Sequence, residues 1–132
     1  MLVSTKGRYA LRMMIFLAAQ ANEAPVSLKE VSEHEGISLK YLEQVARPLA
    51  DAGLIRSARG KNGGYALSRP PEQINAGEVL RAAEGTTAPV SCLESGQGCP
   101  RADACTTIAF WRGLDQAIDD YVSGVALAEL AG

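Results

Sequence analysis

Three thiols and one polar helix face carry most of the chemistry this chain can do. The thiols are Cys92, Cys99 and Cys105, spaced Cys-x6-Cys-x5-Cys, and they are all the cysteines of a 132-residue sequence. Three thiolates in a loop that also holds Gly96, Gly98 and Pro100 make a pliable pocket for a soft metal centre. Structural zinc usually shows a closely spaced cysteine pair, which this run lacks. A disulfide framework leaves one thiol over. A catalytic cysteine needs a base, and the single histidine, His34, lies far along the chain and reads as a surface residue. A thiol redox switch is the rival to a metal centre, and three unrelated surface thiols are the bland alternative.

The polar face lies on a segment beginning at Ser38. With Leu39, Leu42, Val45 and Leu49 turned inward, Lys40, Glu43, Gln44 and Arg47 point out. Lys and Arg pair with phosphates or guanine edges, Gln with adenine, and Glu accepts from the cytosine amino group. Ser38, at the helix N-terminus, offers a hydroxyl and backbone donors. Further on, Arg56, Arg59 and Lys61 flank a glycine-rich turn whose thin backbone can enter a minor groove. Either set alone reads as a solvated surface; their succession points to a duplex.

The elements that must position these groups follow from local signals. Residues 4–20 read as a helix capped by Ser4 or Thr5, with Leu11, Met14, Ile15 and Ala18 at helical spacing. Ser27 with Glu30 makes a capping box for a short helix that Gly36 ends. Ser38 caps the longer one, and Gly53 stops it. Pro48, inside it, predicts a kink after Arg47. Leu54–Arg59 and Tyr65–Leu67, joined through Asn62-Gly63, read as a hairpin. Short helix, tight turn, longer helix and hairpin make a winged helix-turn-helix.

The predicted fold is therefore mainly α with a small β-hairpin. Residues 1–71 form a DNA-binding domain, with the helix-turn-helix at about 27–52 and the wing at about 54–67. Residues 72–132 hold a cysteine-containing sensor loop (85–106) and a dimerisation helix (about 107–126). A short helix capped by Asn75 precedes the loop. In the long helix Trp111, Leu114, Ile118, Tyr121 and Val125 recur at spacings of 3 and 4, a heptad seam suited to a symmetry mate.

Composition excludes other classes. At 47% hydrophobic residues the chain can bury a core. Its longest apolar run, Met13–Ala19, has seven residues, against the ~20 of a membrane helix. Charges at Lys6, Arg8 and Arg12 are unlike a secretory signal, so a cytoplasmic location is expected. The net charge of -2 hides an asymmetry. Residues 1–69 carry 10 basic and 6 acidic side chains, and residues 70–132 carry 3 and 9. A basic reading head and an acidic tail fit a nucleic-acid binder better than the average does.

Four motifs, in order along nearly the whole chain, sharpen this reading. They are Ser4-Thr5-Lys6-Gly7-Arg8-Tyr9-Ala10, Ile37-Ser38-Leu39-Lys40-Tyr41-Leu42-Glu43-Gln44, Arg59-Gly60-Lys61-Asn62-Gly63-Gly64-Tyr65, and the three-cysteine loop. Together they resemble the IscR/NsrR/RirA/CymR-like family of bacterial winged-helix transcription regulators. The resemblance implies a homodimer on a double-stranded DNA operator. It implies an iron–sulfur cluster, 4Fe-4S or 2Fe-2S, on Cys92, Cys99 and Cys105, sensing iron, iron–sulfur, nitric oxide or redox status. It places Ser38, Lys40, Tyr41, Glu43 and Gln44 on the recognition helix, with Glu43 able to discriminate bases. Arg59, beside Gly60, becomes the minor-groove residue, and Lys6 and Tyr9 touch the backbone. The family's fourth cluster ligand is a His where this chain has Ile108, or an acidic residue where it has Arg8. That ligand is left to Glu94, Asp103, a partner residue or a small exogenous ligand. The rival to a cluster is the same regulator switched by thiol oxidation or zinc; a cysteine-dependent enzyme is the reading from another class.

Overall fold

The computed structural model describes residues 3–20, 24–58, 63–90, 93 and 106–132. Helix α1 (Thr5–Ala18) is followed by α2 (Leu28–Glu35) and α3 (Leu39–Asp51). Strands β1 (Ile55–Ala58) and β2 (Gly64–Leu67) come next, then a single 3-10 turn at Pro71–Gln73. Helices α4 (Ala76–Glu84), α5 (Ile108–Ser123) and α6 (Leu127–Ala131) complete the described chain. The expected fold, mainly helical with one hairpin, is the observed one. Among the described residues no helix is long and apolar enough to cross a membrane.

Local chemistry accounts for most boundaries. Ser27 accepts from the Glu30 N–H at 3.2 Å and starts α2; Gly36, at φ 69°, closes it in the left-handed conformation that glycine tolerates. Ser38 accepts from the Tyr41 N–H at 3.2 Å and starts α3. Pro48 does not end α3, which continues to Asp51 with Leu49 wholly buried. Asn75 accepts from the Glu78 N–H at 2.9 Å and starts α4.

Helix α1 is capped differently from expectation. Ser4 takes the N-cap position, but its hydroxyl makes no cap to its own helix. It donates instead to Glu84 Oε1 at 2.6 Å, which also accepts from the Ser4 and Gly7 N–H groups, both at 3.0 Å. The last residue of α4 thus supplies the anion that the free N–H groups and dipole of α1 favour. Gly7 leaves the room: a Cβ there would run into that carboxylate.

The hairpin is antiparallel, with Ile55 opposite Leu67, Arg56 opposite Ala66, Ser57 opposite Tyr65 and Ala58 opposite Gly64. It is moored to the start of α2. Val26 and Tyr65 exchange both backbone hydrogen bonds at 2.8 Å. A Cβ on Gly64 would strike the Val26 carbonyl and lie 2.7 Å from Ser27 N, so this glycine permits the close backbone approach.

One buried cluster joins both parts of the chain. Ala10, Met13, Met14 and Leu17 of α1 meet Val31, Leu42, Val45, Ala46 and Leu49 of the helix-turn-helix. The same cluster includes Ile74, Val79, Ala83 and Leu127, from beyond residue 71. The C-terminal chain returns to it by backbone pairing: Ala76 N–H donates to Val125 O, and Leu127 N–H to Ile74 O, each at 2.9 Å. The long helix is consequently shorter than the expected 107–126. It spans Ile108–Ser123, and Val125 lies beyond its end, in the segment that pairs with residues 74–76. Helix α6 gave no signal of its own in the sequence.

Replacing Gly7 by Ala pushes the Glu84 carboxylate off α1, and Glu84→Ala removes it. Each should cost about 0.5–2 kcal/mol, the usual worth of a helix cap. The double variant should cost little more than either alone, because both remove one interaction. Urea unfolding of the four proteins checks this; additive costs would mean that Gly7 and Glu84 act independently.

Candidate nucleic-acid interface

The orientation of α3 is set by its buried row. Leu42, Val45, Ala46 and Leu49 are all wholly buried, each apolar side chain stabilising by roughly 1.5–3 kcal/mol where large. With 100° per residue, that row forces Lys40, Glu43, Gln44 and Arg47 to the opposite side, and all four are exposed. Ser38 is exposed too, although its hydroxyl is engaged in the cap. Leu39 does not face inward as the spacing predicted. It is 44% exposed, because as the first helical residue it precedes the turn that meets the core.

Helix α1 supports the opening of α3. Tyr9 and Tyr41 meet edge to face, ring centroids 5.2 Å apart, and both are half-buried. The Arg12 guanidinium lies 5.6 Å from the Tyr9 centroid, within cation–π reach. Lys6 is half-buried and Arg8 exposed on the same helix. On the hairpin, Arg56 is exposed on β1. Arg59, Gly60 and Lys61 lie outside the described residues.

The cations divide into two groups. Arg12 pairs with Glu35, Arg69 with Glu78, and Arg81 with Asp119 at 3.1 Å. Lys40, Arg47 and Arg56, on the candidate face, make no ion pair among the described residues, and neither do Lys6, Arg8, Lys29 and Arg112. Of these, Lys40 stands in the first turn of α3, where a cation and the free N–H groups of the helix end together suit a phosphate.

Sequence reasoning missed the cluster behind this face. Arg12 Nε donates to Glu35 Oε1 at 3.0 Å, and a second guanidinium nitrogen donates to the Glu35 carbonyl oxygen. His34 Nδ1 donates to Glu35 Oε2 at 2.7 Å, and its ring lies 4.7 Å from that of Phe16. These contacts tie the end of α2 to α1. Burial raises the Glu35 pKa, but the hydrogen bonds from His34 and Arg12, with their charges, outweigh it and hold the carboxyl below its ordinary value of 4.5. Arg12 and Glu35 lie 23 positions apart, so no local pattern announces their meeting.

The sensor residues Cys92, Cys99 and Cys105, with Glu94 and Asp103, lie outside the described residues. Ile108, at the position where the resemblance would put a fourth ligand, opens α5 and is half-buried; Arg8 stands exposed on α1. Neither carries a group that can ligate iron. Among the described residues no three His, Cys, Asp or Glu side chains converge as a metal site.

Helix α5 buries none of its residues. Its seam divides. Trp111 and Ile118 are half-buried on the stripe that includes Val122, which approaches Gly77 of α4. Leu114 and Tyr121 are exposed, and Phe110, which the heptad reading did not include, joins them at 65% exposure. Phe110, Leu114, Ala117 and Tyr121 form one outward apolar stripe.

Fold and surface together define a winged helix-turn-helix DNA-binding protein. The chain belongs to the Rrf2 family, whose profile, described as "Iron-dependent Transcriptional regulator", matches residues 3–132. It is 40% identical over 130 residues to the HTH-type transcriptional regulator IscR of Aliivibrio salmonicida, covering 98% of this chain and 77% of that one. Among solved structures it is similar to CymR, the global cysteine regulator of B. subtilis. That match has a TM-score of 0.80 and 38% identity, covering 99% of this chain and 96% of the other. The oxidized form of Staphylococcus aureus CymR matches with a TM-score of 0.75 and 38% identity, over 99% and 96% of the two chains. The protein is thus a DNA-binding transcription regulator.

Glu35 makes stability depend on acid. Its folded pKa is depressed, so its contribution is complete above the ordinary value of 4.5 and disappears as pH falls through the folded value. The stability gap between wild type and Glu35→Gln should therefore shrink as pH falls below 4.5. Urea unfolding at about pH 5 and below reads it; a gap that widens below 4.5 contradicts the assignment.

Proposed function

We propose that two copies of this chain bind one operator duplex in the cytoplasm, and that the cysteine loop sets their affinity for it. The observation that carries the DNA reading is the α3 face: a wholly buried row behind, and in front Lys40 and Arg47, without an ion pair among the described residues, with Glu43 and Gln44. In this reading α3 enters the major groove. Ser38, Lys40, Glu43, Gln44 and Arg47 meet bases or phosphates, and Tyr41 meets the backbone beside them. Lys6 and Tyr9 approach phosphates from α1, and Arg56, Arg59, Gly60 and Lys61 bring the wing to the minor groove. Residues 1–71 do the reading, while residues 72–132 sense and dimerise.

The second copy is proposed from α5. A helix of 16 residues, about 24 Å long, that fully buries none of them in its own protomer and exposes Phe110, Leu114 and Tyr121 has an apolar side to cover. A symmetry mate covers it with the same stripe, and Trp111 and Ile118 flank the contact. Two recognition helices then face half-sites about one helical turn apart or a multiple of it.

The three thiols, Cys92, Cys99 and Cys105, suit an iron–sulfur cluster, and the matched family's description as iron-dependent favours one. When bound, the cluster would supply a charged cross-link of the loop that iron shortage, nitric oxide or oxidants can remove. The loop begins at Gly85, next to the carboxylate that caps α1, so its ordering or release acts on the helix that carries Lys6 and Tyr9. A second reading, thiol oxidation without a cluster, is favoured by one observation: a similar regulator, S. aureus CymR, has been solved in an oxidized form. No catalysis is assigned, since the relatives are named as transcriptional regulators.

Two measurements test this. The affinity of the full chain for duplexes selected from a random pool should fall steeply with salt, log K dropping linearly with log salt. Failure to bind any duplex at low salt rejects the DNA reading. Protein prepared without oxygen should absorb in the visible and contain iron and sulfide in equal amounts. Colourless protein without iron that still binds DNA favours the thiol reading.

A further inference from the structure

One side chain on the α3 face has no polar chemistry. Leu39 is 44% exposed, whereas the four apolar residues behind it are wholly buried. A single exposed leucine is ordinary on a protein surface. Its position is what distinguishes it. By helical period Leu39 belongs to the side of Leu42 and Ala46, but as the first residue of α3 it precedes the turn that meets the core, and it stands exposed one turn before Glu43. Ser38 and Lys40 flank Leu39 in the first helical turn, and both are exposed. Leu39 stands at the N-terminal end of α3 beside Lys40, which makes no ion pair among the described residues and favours a polyanion there.

A leucine cannot answer the donors and acceptors of a base edge. The apolar feature of the major groove is the C5-methyl group of thymine. We propose that Leu39 is a specificity-determining residue that reads a thymine methyl in each half-site, next to the base pair addressed by Glu43. The inference rests on α3 being the recognition helix. It adds a hydrophobic contact to a face otherwise made of charges and amides. That contact separates a thymine from a cytosine at one position without a hydrogen bond.

The test deletes the methyl group from the DNA and the side chain from the protein separately. A duplex selected by the full-length wild-type chain is remade with each thymine replaced in turn by deoxyuridine, which lacks only that methyl. Binding is followed by fluorescence anisotropy at fixed salt. At one thymine per half-site the wild type should lose about fourfold in affinity, the worth of one buried methyl group. Leu39→Ala should bind the thymine and deoxyuridine duplexes equally at that position and respond as wild type does elsewhere. Because Leu39 lies outside the core, the variant's thermal melt should match wild type and show that it is folded. The proposal is overturned if no single methyl deletion weakens the wild type. It is also overturned if Leu39→Ala loses as much as wild type at every thymine, or weakens every duplex uniformly. If wild type selects no duplex at all, the recognition-helix reading fails, and the inference falls with it.

Discussion

Met13 and Met14 are neighbours in α1 and both are wholly buried. Successive residues of a helix point about 100° apart, so a helix can bury both only if it is covered from two sides. That requirement organises the molecule. The helices α2 and α3 and strand β2 meet α1, and α4 and α6 reach it as well. A winged helix-turn-helix alone would leave part of α1 bare. Chain from beyond residue 71 is recruited to cover it, through Val79, Ala83 and Leu127.

With α1 in the centre, its ends become junctions. Its N-terminal N–H groups bind Glu84, the last residue before the cysteine-bearing segment. Tyr9, further along, supports Tyr41 in α3. Arg12 reaches the C-terminal end of α2 through Glu35. The reading helix and two of its neighbours, α2 and α4, are therefore held by one central helix, and each attachment uses a polar or aromatic side chain that the apolar core cannot replace. The hairpin is fixed by a different device, the backbone exchange between Val26 and Tyr65.

Electrostatics follow the same division. The acidic excess of residues 70–132 is partly spent inside the fold: Glu78 on Arg69, Asp119 on Arg81, and Glu84 on the α1 N-terminus. The cations of α3 and β1 keep no such partners among the described residues. The net charge of -2 is the average of these two surfaces and describes neither.

The sequence by itself determined the local elements and the polar face of α3. Caps at Ser27, Ser38 and Asn75 and the stop at Gly36 are decided by neighbours three or four residues away, so they are legible in order along the chain. The exposure of Lys40, Glu43, Gln44 and Arg47 follows from helical period alone. The thiol cluster was legible as a spacing, because donor chemistry needs only residue types. Only the tertiary structure decided what depends on distant partners. Period placed Leu39 on the core face, yet the core begins one turn later. Gly7 and Glu84 are 77 positions apart, and their union makes a motif glycine a space for a carboxylate. Heptad spacing named Trp111, Leu114, Ile118 and Tyr121 as one seam, but Trp111 and Ile118 are half-buried on the side of Val122, which approaches α4, and Phe110, Leu114 and Tyr121 are left as the open side. Val125 fell outside the helix because its carbonyl pairs with Ala76. In each case the deciding contact joins residues far apart in sequence, and no local pattern carries it.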